Sequence, residues 1–252
     1  MKILERIESI SSRVSGESSG VSGHLRVVAP FGFGRAYVAP LVRDLHLSHP
    51  NLAISLILSE SPLTAASGAD AVVSIGNVKG SSWIGHYLAP NDRFLCASPA
   101  LARRPSKLEH PSELTRCGFL SLRENDEDVT RLRFTHRDAA GKRGSQAVTI
   151  RLDNALSSND GAVVRDWALD GLGIIERSEW DTARLIAEGK LKRLLPAWRL
   201  EPAPVMALTP TRRGPDDSPA GVSRRRETSL QSCAMAQLTR HSIRLNDRLT
   251  VR

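Results

Sequence analysis

Apolar and polar positions along this chain form short apolar runs that alternate with helical periods, beginning with a strand at Leu25–Ala29. The strand stops at Pro30, a Gly-spaced turn is predicted over Phe31–Gly34, and a helix over Ala36–His46. Its apolar side carries Tyr37, Val38, Leu41, Val42 and Leu45. A strand that feeds a helix through a tight turn points the helix N-terminus at the crevice beyond the strand end. Such a crevice favours a small anion.

The same alternation continues along the next 160 or so residues. Further strands are predicted at Ala53–Ser59, Ala71–Ile75, Trp83–Leu88, Arg93–Ala97, Leu120–Leu122, Val148–Leu152, Leu172–Ile175, Leu191–Leu195 and Val205–Leu208. Helices are predicted at Ala100–Arg103, from His110–Leu114, within Ser157–Ser178, and in a segment that ends at Gly189. The polar stretch between Leu122 and Val148 is predicted as a hairpin or surface excursion. This order indicates an α/β protein with a mostly parallel sheet covered by helices.

The two ends of the chain differ from this middle part. Ile3, Ile7, Ile10 and Val14 form a short helical stripe, which needs a partner helix because it is under two heptads long. The segment SGESSGVSG at 15–23 is predicted as a flexible linker. After Arg213 no apolar period is sustained, and the tail is predicted to be largely disordered.

The net charge of +8 suggests nucleic acid as a partner, but its distribution argues against that interpretation. Residues 212–252 hold nine Arg against four acidic residues, so the rest of the chain has 26 basic and 23 acidic residues. A body this close to neutrality is a poor electrostatic footprint for DNA. The N-terminus lacks the apolar core of a signal peptide, and no run is long enough to span a bilayer, so we expect a soluble cytoplasmic protein with no membrane partner.

No pattern in the sequence supports catalysis, a metal or a cofactor. The glycines at 32 and 34 are followed by Tyr37 where a dinucleotide-binding loop needs a third Gly, and no phosphate loop or nucleophile elbow is present. The three Cys residues lack metal-ligand spacing, and Cys96 lies in an apolar run that favours a buried thiol. His46 and His49 fit a helix C-terminus better than a metal site. We therefore expect no enzyme activity, no cofactor and no metal.

Several segments, in this order and spacing, resemble the effector-binding domain of LysR-type transcriptional regulators. The segments are LRVVAPFGFGRAYVAPLV, ADAVVSIGNVKGSSWIGHYLAPNDRFLCASPALA, LEHPSEL, SNDGAVVRDWALDGLGI, RSEWDTARLIAEGKLKRLLPAW and VMALTPTRR. The resemblance runs from about Gly23 to Arg213. It implies a two-subdomain, periplasmic-binding-protein-like (type 2) α/β fold with the effector in the cleft between subdomains.

The resemblance also implies a domain organisation. Residues 1–22 are a linker-helix remnant and flexible linker, residues 23–213 form the effector domain, and residues 214–252 form a basic tail. Within the effector domain, subdomain I is 23–97 with 200–213 and subdomain II is 98–199. The family joins such a linker to a winged helix-turn-helix and assembles as a homodimer or tetramer.

Candidate effector contacts come from the same comparison. They are Phe31, Gly32, Phe33, Gly34, Arg35, Ile75, Gly76, Asn77, Ser98, Ser158 and Asn159. Each has a plainer structural interpretation: the glycines at 32 and 34 permit a tight turn, Gly76 belongs to a loop, Ser98 caps a helix, and Asn159 or Asp160 caps the long helix whose apolar face is Val163, Val164, Trp167 and Ala168. Gly171 is expected to end that helix.

Three features depart from the family pattern. Met1 falls inside the linker helix, which leaves no room upstream for a DNA-binding module; either the true start lies earlier or the chain is a truncated product. Ser74 stands where the family usually has a basic residue. The tail lacks the usual final amphipathic helix. A shifted reading frame after Arg213 would explain this, and the absence of such a helix in the other frame would refute it.

The sequence thus predicts the sensing half of a LysR-type regulator, which binds a small anionic or aromatic metabolite and reaches DNA only through a helix-turn-helix not present in this chain. A solute-binding protein of the same fold is the alternative, disfavoured by the missing signal peptide and the linker remnant.

Residues 1–252 alone should give no sequence-specific operator shift in a gel at physiological salt, because the helix-turn-helix that would read the bases is not expected in this chain. A specific shift would overturn this account of the missing module.

Overall fold

The chain forms an α/β structure, as its pattern predicts. The computed structural model describes residues 22–78, 82–103, 108–123, 130–137 and 143–211. The predicted helix over 3–14, the linker before residue 22 and the tail over 214–252 lie outside these described residues.

Thirteen strands and five helices are present in the described part of the chain. The strands are β1 Gly23–Pro30, β2 Leu52–Ser59, β3 Ala71–Ile75, β4 Trp83–Ala89, β5 Arg93–Ala97, β6 Phe119–Leu122, β7 Arg131–Arg137, β8 Arg143–Arg151, β9 Asn154–Ser158, β10 Ile174–Ser178, β11 Lys192–Arg193, β12 Trp198–Leu200 and β13 Val205–Pro210. The helices are α1 (Phe31–Phe33, a π-helical Gly34–Val38, and Ala39–Ser48), α2 Pro99–Ala102, the 3-10 helix α3 Pro111–Arg116, α4 Gly161–Leu169 and α5 Glu179–Ala187.

The contacts divide the chain into two compact units. The first takes the described residues up to Ser74, then Val78–Leu88 and the strand from Met206; the second takes Ile75–Asn77 and Ala89–Val205. Strand β5 belongs to the second unit because it pairs with β10, with Cys96 opposite Ile175. The sequence-based boundary at Ala97 had assigned this strand to the first subdomain.

The first unit is built on one five-stranded sheet with the order β2-β1-β3-β13-β4. Strand β1 runs parallel to both β2 and β3, with Leu25 opposite Ile54 and Val28 opposite Val72. The central strands β1 and β3 are almost wholly buried, as expected for parallel strands covered on both faces. The carboxyl ends of β1, β2 and β3 therefore meet at one edge of the sheet.

The second unit contains two sheets. A five-stranded sheet has the order β11-β5-β10-β6-β9, in which β6 is parallel to β9 and β10 while β5 is antiparallel to β10. A three-stranded antiparallel sheet has the order β12-β7-β8. The expectation of a mostly parallel sheet is wrong for this unit, because β5 runs antiparallel to both β10 and β11, and the antiparallel pair β7 and β8 forms a separate sheet with β12.

Consecutive residues on the strands of the five-stranded sheet face different cores. Phe119 and Ile174 pack in one cluster with Phe134 and Trp198 from the three-stranded sheet. The next residues, Leu120 and Ile175, pack in the other cluster with Val164 and Ala168 of α4. This follows from the two-residue period of a strand. Complete burial of each such large side chain contributes about 1.5–3 kcal/mol.

Several predicted boundaries are corrected by the structure. The strand expected at Leu172–Ile175 lies at Ile174–Ser178, and the one expected at Leu191–Leu195 contains only Lys192–Arg193. Strands β9 and β12 were not predicted. Val163, expected on the apolar face of α4, is 39% exposed. Gly171 has a φ of 82°, in agreement with its predicted role at the helix end.

A buried carboxylate connects three elements of the second unit. The Asp181 side chain, 5% exposed, accepts hydrogen bonds from Arg177 Nε at 2.8 Å and from Arg165 Nη1 at 2.7 Å. Arg177 is on β10, Arg165 on α4 and Asp181 on α5. Two guanidinium groups thus share one carboxylate in a site from which most solvent is excluded.

The 3-10 helix α3 starts with a capping box. The Glu113 carboxylate accepts the backbone N–H groups of His110 at 3.0 Å and Glu109 at 2.8 Å, and the His110 ring accepts the N–H of Ser112. These hydrogen bonds hold the pKa of the Glu113 carboxyl below its ordinary value of 4.5.

Replacement Asp181→Asn should lower the free energy of unfolding by about 2–4 kcal/mol, because it leaves the buried guanidinium of Arg177 without its carboxylate partner. Asp166→Asn is the matched control: that carboxylate also contacts Arg165 but is 63% exposed, so its loss should cost under about 0.5 kcal/mol. Urea unfolding followed by fluorescence distinguishes them; equal midpoints would contradict the role assigned to Asp181.

Replacement Glu113→Gln should lower the free energy of unfolding at pH values above the pKa of the Glu113 carboxyl in the folded protein, and not in acid below it. A carboxyl with a lowered pKa in the folded state stabilises fully above its unfolded value of 4.5, and this contribution disappears as the pH falls through the folded pKa. Thermal unfolding of the parent and the variant should therefore differ at pH 7 and converge in acid. The exposed Glu201→Gln is the control; a difference that persists unchanged in acid would exclude this mechanism.

Candidate functional site

In the first unit, the candidate residues Phe31–Arg35 begin α1 directly at the carboxyl end of β1. Pro30 is extended, with φ −61° and ψ 147°, and Phe31 is already helical, so the predicted Gly-spaced turn is wrong. Gly34 has ordinary helical angles (φ −60°, ψ −46°), which any residue can adopt. Pro30, the N-cap residue, offers no side-chain capping bond, and none from the described residues is recorded at this helix start. Its first-turn N–H groups therefore depend on partners outside the helix.

Gly34 is needed for packing. A Cβ built on Gly34 would lie 2.3 Å from Leu58 Cδ2 and 3.2 Å from Ala29 Cβ, so the helix start rests closely on the sheet. Phe33 is 3% exposed, and its ring centroid is 4.8 Å from that of Tyr37. The side chain of Phe33 therefore belongs to the core. Phe31 and Gly32 are half-buried and Arg35 is exposed, which leaves these three as the accessible part of the predicted turn.

Strand β3 reaches the same edge of the first sheet. Extension of its register with β1 places Ser74 opposite Pro30, and Ser74 is 7% exposed. The loop that follows is organised by Gly76, whose φ of 99° requires glycine and whose N–H donates to the carbonyl of Pro204 at 2.9 Å. A Cβ on Gly76 would contact nothing within 4 Å, so its conformation accounts for the glycine. Asn77 is exposed.

In the second unit, Ser158 and Asn159 lie between the carboxyl end of β9 and the start of α4. The Asp160 side chain accepts the N–H of Ala162 at 2.8 Å, so Asp160 is the cap of this helix. Ser158 Oγ accepts the N–H of Asp160 at 3.1 Å. Asn159 is exposed and no capping bond involves it. Ser158 therefore helps to hold the helix start, whereas no capping bond among the described residues involves Asn159.

Arg177 adjoins this helix start and was missed by sequence reasoning. A Cβ on Gly161 would lie 2.3–2.6 Å from the guanidinium of Arg177, so only glycine lets the arginine pack against the first turn of α4. Arg177 is 6% exposed and is held by Asp181. A sequence signal existed: Arg177 and Asp181 are four residues apart across the junction of β10 and α5.

Further polar residues share the carboxyl edge of this sheet. Arg93 Nη1 pairs with Glu176 Oε1 at 2.7 Å, and Ser121 pairs in register with Ser157. Ser121 is 1% exposed, and its Oγ has no hydrogen-bond partner among the described residues. A lone serine at the end of an apolar strand gives no sequence signal, so this buried hydroxyl could not be predicted.

Ser98 lies at the opposite edge of the same sheet. It follows Ala97, which the antiparallel register places opposite Ile174, the first residue of β10. Since Ser158 follows the carboxyl end of β9, Ser98 and Ser158 are separated by the length of a five-residue strand, roughly 15 Å. The prediction that Ser98 caps the next helix is confirmed: its Oγ accepts the N–H of Leu101 at 3.3 Å. The structure does not bring Ser98 together with Ser158 and Asn159.

The described residues also bear on three other possibilities, a metal site, a reactive thiol and a membrane-spanning helix. No group of three or more His, Cys, Asp and Glu side chains there is arranged to hold a metal ion. Cys96 is fully buried, as predicted, and desolvation raises the pKa of its thiol to about 12, although Arg193 acts in the opposite direction. No helix among the described residues is long and apolar enough to cross a membrane.

Comparison with protein families gives one clear match. The family described as LysR substrate binding domain matches residues 18–219, which is most of the chain.

The curated relatives are transcriptional regulators. The chain is 30% identical over 199 residues to the HTH-type transcriptional activator TtdR of Escherichia coli (strain UTI89 / UPEC), covering 79% of this chain and 62% of that protein. It is 33% identical over 208 residues to the HTH-type transcriptional regulator DmlR of Escherichia coli (strain K12), covering 82% of this chain and 65% of that protein. The chain thus spans less than two thirds of the length of these relatives.

Solved structures show the same fold. Full-length AphB, the Vibrio cholerae virulence activator, matches with a TM-score of 0.67 at 19% identity and covers 94% of this chain and 74% of its own. CrgA, a LysR-type transcriptional regulator from Neisseria meningitidis, matches with a TM-score of 0.68 at 20% identity, with 94% and 76% covered. The expected two-subdomain, periplasmic-binding-protein-like α/β fold is confirmed by these neighbours.

The matched family is one of transcriptional regulators and not of enzymes, and both the sequence relatives and the fold agree with that match. The chain therefore belongs to the LysR family of transcriptional regulators and carries its effector-binding domain.

Proposed function

We propose that this chain senses a small anionic or aromatic metabolite and that its occupancy controls transcription. The observation that carries the proposal is the uncapped start of α1 at the carboxyl edge of parallel strands, next to the exposed Arg35. Helix N-termini in this position bind anions because their N–H groups and the helix dipole favour negative charge. Phe31, half-buried at the same point, offers an apolar face to an aromatic effector.

The second unit supports the same proposal with a second helix start. Asn159 precedes α4, is exposed, and has both donor and acceptor groups to offer a ligand. Arg177 adds a guanidinium, held in place by Asp181, beside Gly161. The Ser158 hydroxyl already accepts the N–H of Asp160, so Ser158 would line the site rather than supply a hydroxyl that is free of other bonds. In this proposal the effector would lie in the cleft between subdomains that the family resemblance implies, and these residues would form one wall of it.

The remaining parts of the proposal concern the whole regulator. Effector binding would shift the arrangement of a homodimer or tetramer in the cytoplasm, and DNA contacts would come through a helix-turn-helix of the full-length protein. The effector needs only a modest preference for one arrangement, typically about 1–3 kcal/mol.

Gly76 and Ile75 would lie along the segment that connects the units, and Asn77 would present its amide there.

Titration calorimetry with benzoate and succinate, and with benzamide and succinamide as uncharged counterparts, tests the first wall. An anion should bind and its amide should not. Arg35→Gln should weaken anion binding about tenfold, since a hydrogen-bonded charge is lost. Arg43→Gln is the matched control on the same helix, because Arg43 is 69% exposed and pairs with Asp44. Equal effects of the two variants, or equal binding of the amides, would refute an anion site at this helix start.

The second wall is tested with the anion that binds in that titration. Asn159→Ala should weaken it about fivefold through the loss of one hydrogen bond, with the unfolding temperature unchanged because Asn159 caps nothing. Asn51→Ala, an exposed asparagine just before β2, should have no effect. Unchanged affinity in Asn159→Ala would remove this residue from the site.

A further inference from the structure

A separate cavity lies inside the second unit, with a volume of about 310 Å³. Small-molecule sites in proteins begin at about this size. Its walls are mostly apolar and come from α2, from the strands β5 and β10, and from residues that follow α2 and β11. The apolar lining residues are Ala97, Leu101, Ala102, Leu108, Ile174 and Leu194. The polar members are Glu113, Arg116 and Cys117, all from α3 and the residue after it.

The cavity is at the edge of the sheet opposite to Asn159. Ala97 ends β5 opposite Ile174, the first residue of β10, and Gly118 directly precedes β6. These are the amino ends of the parallel strands, whereas Asn159 follows the carboxyl end of β9. One molecule of ordinary metabolite size cannot fill both places, since a whole strand lies between them.

The charged side chains at the cavity are Glu113 and Arg116, and the positive charge of Arg116 helps to lower the pKa of the Glu113 carboxyl. The Glu113 carboxylate is occupied by two backbone N–H groups of its capping box. Arg116 is exposed, and no carboxylate in the described part of the chain forms an ion pair with it. Cys117 is half-buried and carries a free thiol. An apolar chamber with a guanidinium at its mouth and a satisfied carboxylate fits an amphipathic anion.

We propose that this cavity is a second ligand site, which takes a small carboxylate with an alkyl or aryl body. The body would displace water from the six apolar side chains, and the carboxylate would pair with Arg116. Planar guanidinium groups match carboxylates with two parallel hydrogen bonds. This site is independent of the effector site proposed above and involves none of its residues.

Cys117 provides a direct reporter of occupancy. Burial raises the pKa of its thiol, so it is neutral and reacts slowly, but it is accessible enough to alkylate. Cys96 is fully buried, and its thiol pKa of about 12 makes it inert. With Cys233→Ser in the tail as background, iodoacetamide should therefore label Cys117.

The test is the rate of this alkylation in the whole chain with hexanoate or hexanamide as probe. Hexanoate at ten times its dissociation constant should slow labelling about tenfold, by simple occupancy. Hexanamide should protect far less. Ala102→Phe, which fills the chamber, should abolish protection, and Ala100→Phe, exposed on the same short helix, should leave it intact.

Arg116→Gln leaves the apolar walls intact and should weaken the binding of hexanoate at least fivefold, which is the scale of one charged hydrogen bond. Arg103→Gln is the control and should leave hexanoate binding unchanged, because Arg103 is exposed and lies outside the cavity. The surface position of Arg116 makes misfolding no explanation for its effect. No protection up to about 10 mM hexanoate, a range that includes even weak binding, would overturn the site. Equal protection by hexanamide, or an unchanged Arg116→Gln variant, would overturn its assignment to carboxylates. Unchanged protection in Asn159→Ala separates this result from the fate of the effector proposal.

Discussion

The arrangement of the second unit depends on one buried carboxylate shared by two arginines. Asp181 ties β10 to α4 and α5, and in doing so it positions the guanidinium of Arg177 against Gly161. Arg165 also contacts Asp166 at 3.4 Å, so the two guanidinium groups of the cluster face two carboxylates. The cluster therefore fixes the guanidinium of Arg177 beside the start of α4, in a place where solvent screens its charge little.

The strands and helices of the chain were largely predictable because each buries a regular pattern. Parallel strands such as β1 and β3 are mostly apolar, and α4 begins at the polar cap Asp160. The three-stranded sheet escaped prediction for a physical reason. Strand β12 has only three residues, and its pairing with β7 depends on positions far apart in sequence, with Trp198 opposite His136. No local period records such a contact.

The candidate site was less predictable than the fold. Sequence order shows that Ser98 follows a strand, but it does not show that β5 runs antiparallel to its neighbour, and this direction decides which edge of the sheet Ser98 occupies. Phe33 looked like part of a ligand turn because glycines flank it, and the structure places it in the core. The buried hydroxyl of Ser121 became visible only through its burial, and the spacing of Arg177 from Asp181 did not by itself show that this ion pair is buried.

The π-helical turn at Gly34–Val38 decides which residues of α1 face the sheet and which face the sheet edge. A π-turn holds one residue more than an α-turn, and here it keeps Phe33 and Val38, five residues apart, both buried. The extra residue rotates everything before it by about 100° relative to an uninterrupted helix. A relative that lost this single residue would keep Leu41 and Leu45 in place while it turned a different set of first-turn groups toward the sheet edge. An insertion or deletion at this point would thus change which groups of the helix start face the sheet edge and leave the core beneath it unchanged.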